Sequence, residues 1–253
     1  MKKTTLLLSL SALLWLTAAS AQAYNDADLT AVANGRNCPS ADLSDADLSG
    51  FDLTELDLSG ADLKNANLLG ARLEKTNLTG ADLRKANLKR AVFAEAKLTE
   101  ANLKNVEAPY AFFGSADLTG ANVTGGNFFR GDFRGAKLNH LSAYGSNFQE
   151  ATFDKADLQN SDFSFANLSY SWLFEADLSY SLFSRTNLYE AKGEGLKALQ
   201  TDFYGASLGK ARLTNGDFTA ANFDGAMLEN ADFQGSSLKN TVWGTAFKRK
   251  AGF

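Results

Sequence analysis

The 253-residue chain has few of the residues that staple, break or catalyse. Its one cysteine, Cys38, has no second thiol with which to form an internal disulfide. Its one histidine, His140, excludes a metal centre with several His or Cys ligands, and any His-dependent triad would have to be built around it. Only two prolines occur, Pro39 and Pro109, and no Ser/Gly/Pro-rich stretch or long charge run divides the chain, so a single domain is expected. Long apolar runs are also missing, apart from the stretch Leu6 to Leu16, which falls short of the ~20 residues needed to cross a bilayer.

That run follows Lys2-Lys3 and precedes the small-X-small sequence Ala21-Gln22-Ala23, the pattern of a secretory signal peptide. Residues 1–23 are therefore expected to be removed on export, with Tyr24 as the new N-terminus and no membrane association afterwards. The remainder has 23 basic and 29 acidic side chains, a formal charge of −6. Such a mildly acidic balance favours solubility and gives no reason to expect nucleic-acid binding. Without disulfides, in an oxidising compartment, stability must come from packing.

What the chain has in abundance is one five-residue phrase, repeated in phase from residue 41 to 245. Ala41-Asp42-Leu43-Ser44-Asp45, Ala61-Asp62-Leu63-Lys64-Asn65 and Ala231-Asp232-Phe233-Gln234-Gly235 are copies of it. A period of five is neither the 3.6 of a helix nor the 2 of a strand, so the chain must turn regularly and stack on itself. Leu43 and Ala41, two residues apart, point to one side and form the interior.

The phenylalanines set the number of units per turn. Phe93, Phe113, Phe133 and Phe153 recur at twenty residues, as do Phe163, Phe183, Phe203, Phe223 and then Trp243, and also Phe128 and Phe148. Rings stack on rings of like shape in the next layer if four units make one coil. The 41 units then give about ten coils, a tube roughly 50 Å long at the ~4.8 Å strand spacing. Where the central residue shrinks, the small one grows, as in Val106/Ala108, Leu141/Ala143 and Leu196/Ala198. Gly193 breaks that compensation, which predicts an irregular segment at 191–200.

The ends need covers. Residues 24–40 form an N-terminal cap, with a short helix from Asn25-Asp26 to Asn34-Gly35 that turns Leu29 and Val32 toward the first coil. Residues 246–253 form a C-terminal cap or tail, with Trp243, Phe247 and Phe253 folded over the last coil and Lys248-Arg249-Lys250 in water.

These units resemble the pentapeptide-repeat family, whose A(D/N)LXX signature is matched at Ala81-Asp82-Leu83 and Ala101-Asn102-Leu103. The resemblance implies an all-β fold, a right-handed quadrilateral parallel β-helix. Asn37-Cys38-Pro39-Ser40-Ala41-Asp42-Leu43 is similar to the start of a subset with a Cys-Pro-X-Cys-Asp-Leu pattern, except that Ala41 stands at its second cysteine. Quinolone-resistance members are acidic dimeric rods that imitate DNA and bind a type II topoisomerase in the cytoplasm. Here Lys75, Lys85, Arg90, Arg130, Arg134 and Arg185 interrupt any acidic stripe. Exported members of cyanobacterial and chloroplast lumens are more similar, which implies a periplasmic location, or the thylakoid lumen in a cyanobacterium.

No catalytic set is found. Asn139 and Ser142 flank His140 but fall on different sides of its corner. Seven acids between Arg36 and Lys64, with Asp42, Asp62 and Asp82 one above another, raise the question of Ca²⁺. Bend chemistry accounts for them more simply, because Asp or Asn recurs at this position throughout. No cofactor or metal is expected. The sharper signal is aromatic: Phe165, Tyr170, Trp172, Phe174 and Tyr180 fall within one turn of the tube, with Leu182 and Tyr189 just beyond. Trp and Tyr are enriched in binding hot spots, so this turn is the expected contact patch for an unidentified protein partner or a second copy. The leading expectation is a non-enzymatic exported scaffold; the alternative is a DNA-mimicking topoisomerase-binding protein.

Overall fold

The computed structural model describes residues 24–253. The expected signal peptide, residues 1–23, lies outside them. Each five-residue unit contributes one parallel bridge to the unit twenty residues on, from Asp42↔Asp62 to Asp232↔Gly252. Four units therefore complete a coil. Leu43 donates its N–H to Asp62 at 2.8 Å and Asp62 donates to Ala41 at 2.8 Å, so successive coils are sewn together by short backbone bonds.

Most sides of the coil end in the same bend. Ala46 donates to the Leu43 carbonyl at 3.1 Å, and Asp45, the second central residue of that turn, has φ 59°. A positive φ there is the mark of a type II turn, and it recurs at every fifth residue from Ser40 to Asn240. The Asp or Asn before the bend holds it: Asp47 Oδ1 accepts from Ser49 N–H at 3.1 Å, and Asp217 Oδ1 accepts from Thr219 N–H at 3.0 Å. Aspartate recurs for this reason.

The interior is Leu, Phe and Ala, almost all inaccessible to solvent. Phe113 lies 4.8 Å from Phe93 and 4.9 Å from Phe133, both within 4° of parallel. At most small positions held by Ser or Thr, the hydroxyl bonds the inner backbone: Thr76 donates to Leu53 at 2.8 Å and Thr186 to Phe163 at 2.7 Å. A carbonyl in reach is what accommodates these polar side chains in the core, and Ser171 is an exception to it.

Helix α1 (Asp26–Ala33) precedes the coils, with Asn25 as N-cap accepting from Ala27 N–H at 2.9 Å. Val32 is buried and Leu29 packs against the same core. Asp28 reaches down to accept from Asp42 N–H at 2.9 Å, an edge donor that has no coil beneath it.

Two sequence expectations are corrected. Residues 191–200 are not irregular: Lys192 bridges Trp172 and Arg212, and Gly193 donates to Arg212 at 2.8 Å. A Cβ on Gly193 would lie 3.2 Å from Leu213, 3.5 Å from Leu173 and 3.5 Å from Leu196, so side chains of the adjoining coils and of the next unit fill the space that a large residue would have taken. Nor do residues 246–253 fold over the end. Phe247 bridges Met227 from an outward position, while Trp243 stacks on Phe223 at 5.2 Å and Phe253 on Phe233 at 5.9 Å. The coil simply continues, because these aromatics keep the twenty-residue phase.

Candidate functional site

The four sides can be named by their outward columns: face 1 carries Asp42 and Asp62, face 2 Asp47 and Asn67, face 3 Asp52 and Arg72, and face 4 Asp57 and Asn77. Residues twenty apart are neighbours on one face. Residues ten apart lie on opposite faces. The expected patch within one turn therefore cannot be one surface, and it divides in two.

Trp172 lies on face 3, with Tyr170 at its leading corner and Phe174 at its trailing one. Trp172 bridges Thr152 below and Lys192 above, and Tyr170 holds the corner with φ 60°. Both rings are over two-fifths exposed. Phe174 is half-buried and donates its N–H to Asp154 Oδ1 at 3.2 Å. Burial pushes the Asp154 carboxyl above its ordinary pKa. Because Thr152 is short, a groove of about 540 Å³ opens here, lined by Arg130, Asp132, Glu150, Thr152, Tyr170, Trp172, Glu190 and Lys192.

Phe165 and Tyr180 lie elsewhere, on the two corners that flank face 1. Between them sits Leu182, bridged to Asp162 and Asp202. Phe165 packs on Tyr144 with ring centroids 5.2 Å apart, and the Arg185 guanidinium covers its other side at 5.5 Å. Tyr144, Phe165, Tyr180 and Leu182 are each 48% exposed and Tyr204 is 44%. Tyr189 packs on the first set, lying 5.9 Å from Tyr170 at the same corner, with Lys210 Nζ over its ring at 5.2 Å.

The remaining candidates are engaged in structure. Asp42 Oδ1 accepts from the Ser44 hydroxyl at 2.8 Å, and Asp62 pairs with Lys64 at 2.6 Å. Their carboxylates serve bends and ion pairs. Among the described residues, no three His, Cys, Asp or Glu side chains are grouped to hold a metal ion. His140 is exposed at a corner, and Asn139 Oδ1 accepts from the Thr119 hydroxyl of the coil below at 2.8 Å. Cys38 donates to Asp28 Oδ1 at 3.5 Å, and burial, reinforced by that carboxylate, pushes its thiol pKa up. The thiol stays protonated, a poor nucleophile.

Sequence reasoning missed Tyr144 and Tyr204 on face 1, and the charged residues around Trp172 on face 3. The signal was present at i±20, not among neighbours within one turn.

No curated protein sequence matches the chain. Solved structures similar to it include HetL, a pentapeptide repeat protein involved in heterocyst differentiation regulation in a Nostoc cyanobacterium. It is 27% identical, with 86% of this chain and 92% of that one covered, at a TM-score of 0.39. A trypsin-treated form of QnrB1, a plasmid-mediated fluoroquinolone resistance protein, is 15% identical over 79% of this chain and 91% of that one, with a TM-score of 0.44. A pentapeptide repeat protein of the Arabidopsis thaliana thylakoid lumen is 26% identical over 48% and 70%, with a TM-score of 0.28. The family model for pentapeptide repeats matches in eight copies, over residues 41–80, 76–108, 96–135, 132–169, 144–179 and 201–240. With the twenty-residue coil and its repeated bends already in place, the chain belongs to the pentapeptide-repeat family.

Proposed function

We propose that this chain is an exported, non-enzymatic scaffold that binds a protein partner through face 1. The observation that carries the reading is the group of half-exposed Tyr180 and Leu182 beside the Tyr144–Phe165 pair, with Asp162, Asp202 and Arg185 around them. Large apolar side chains ringed by charge are the anatomy of an interaction hot spot. A filled interior supports a role for the outer surface over enclosure of a substrate.

The scaffold is a right-handed quadrilateral rod of about ten coils with α1 as its N-terminal cap. Lys2-Lys3, the apolar run to Leu16 and Ala21-Gln22-Ala23 support export to the periplasm, or to a thylakoid lumen in a cyanobacterial cell. DNA mimicry is disfavoured because pairs such as Arg72–Asp52 at 3.2 Å and Lys137–Asp117 at 3.7 Å place both signs along a face.

The test is to recover the protein from its own cells, sequence its N-terminus and capture what accompanies it. The scaffold reading expects a chain starting at Tyr24 and a protein retained by the wild type but lost from a Tyr180→Ser, Leu182→Ser variant of unchanged melting temperature. A cytoplasmic, uncleaved product, or a partner indifferent to those changes, would contradict it.

A further inference from the structure

We infer that the face 3 groove around Trp172 is a binding site for a neutral linear oligosaccharide. It lies on the opposite side of the tube from the face 1 surface, so neither proposal depends on the other. The ligand class follows from how the groove's charges are spent.

Its carboxylates already have cations of their own. Arg130 pairs with Glu150 at 2.7 Å, Arg134 grips Asp132 with Nε at 2.9 Å, and Lys210 pairs with Glu190 at 3.2 Å. That leaves Lys192 as the unbalanced charge among the lining residues. A free cation or anion would have to displace these pairs, and a nucleic acid would meet three carboxylates. The pairing does something else: it holds donors and acceptors in fixed directions without a strong net field. Such groups suit hydroxyls.

The apolar part completes the match. Trp172 and Tyr170 are exposed aromatic side chains beside those polar groups. A sugar ring presents a flat C–H face bordered by hydroxyls, so it can stack on an indole while its edge hydrogen-bonds to paired carboxylates and guanidinium groups. The groove's volume of about 540 Å³ is within the usual range for a ligand site.

Its shape selects a linear ligand. The lining residues stand at successive coil heights, from Arg130 and Asp132 to Glu190 and Lys192, three coil steps or ~15 Å at strand spacing. An extended peptide fits less well. Peptides lying along sheets gain affinity from backbone bonds to an open edge, and here those groups are spent between coils: Trp172 N–H goes to Ala151 at 3.0 Å and Trp172 C=O to Phe153 N–H at 2.7 Å.

The test titrates the full chain with cellohexaose, maltohexaose and chitohexaose, read by calorimetry and by Trp fluorescence. At least one should bind at micromolar to millimolar concentration, little changed by high salt, because a neutral ligand releases no counterions. Trp172→Ala should weaken it by about tenfold or more. Trp243→Phe, in the core column of the last coil, should leave it intact, and equal melting temperatures exclude misfolding as the cause. The inference is overturned if no hexasaccharide binds at millimolar concentration, if Trp172→Ala binds as tightly as wild type, or if binding collapses in high salt.

Discussion

The Ser161 hydroxyl donates to the Leu138 carbonyl at 2.6 Å and accepts from the Leu141 N–H at 3.0 Å, so one small side chain ties two coils inside the core. Ser171, equally buried, has a hydroxyl without a hydrogen-bond partner. The same substitution should therefore act oppositely at the two sites. Ser161→Ala removes both bonds of that hydroxyl, while the Leu141 N–H keeps its bond to the Leu138 carbonyl at 3.1 Å, and should cost about 0.5–1.5 kcal/mol, whereas Ser171→Ala removes an unsatisfied group and should be neutral or stabilising. Urea denaturation of both variants decides the matter.

The phenylalanine stack makes a second prediction. Phe113 touches Phe93 and Phe133, so Phe113→Ala leaves a cavity between two rings and should cost about 3–5 kcal/mol. Phe113→Leu puts there the residue that Leu53, Leu73, Leu173 and Leu213 supply in the same column and should cost less than half as much. Thermal unfolding followed by circular dichroism would show the ranking.

These stacks were legible before any coordinates, because a ring that recurs every twenty residues needs only arithmetic to place it. Helix α1 was legible from Asn25 and Gly35 at its ends. The surface was misread for the same geometric reason that the core was read well. Trp172 and Leu182 are ten residues apart, and a coil of four sides puts them on opposite walls. Gly193 was opaque because its void is filled by Leu173 and Leu213, twenty residues away in each direction. Leu196, three residues on, is the one local sign of it.

Acid stability should be divided among the bend aspartates. The Thr219 hydroxyl, donating at 2.6 Å, holds Asp217 below the usual carboxylate range, and Ser49 does the same for Asp47. A folded-state pKa below the unfolded one means the contribution is complete above the unfolded carboxylate pKa and is lost as pH falls through the folded one. Asp217→Asn keeps an acceptor oxygen but no titration. Its melting temperature should fall less than wild type's on acidification; an identical acid limb would refute the assignment.

Asp154 has the opposite sign. Burial raises its pKa, so the folded state favours the protonated form and stability falls as pH rises from the unfolded toward the folded value. Asp154→Asn retains an acceptor for Phe174 N–H and should raise the melting temperature at neutral pH, with the gain fading in acid. No gain at neutral pH would show that the carboxylate is not penalised.

Cys38 should resist alkylation. Its thiol is half-buried and bonded to Asp28, so iodoacetamide should react more slowly than with a free cysteine peptide at the same pH. Asp28→Asn should speed the reaction, because it removes the carboxylate that opposes thiolate formation.

The central claim is that the aromatic turn serves two separate surfaces, and parallel capture with Leu182→Asp and Trp172→Ala variants tests it most directly. With both folded and exported, the account predicts that Leu182→Asp loses the protein partner while Trp172→Ala retains it. Loss of the partner from Trp172→Ala, or its retention by Leu182→Asp, would contradict the account.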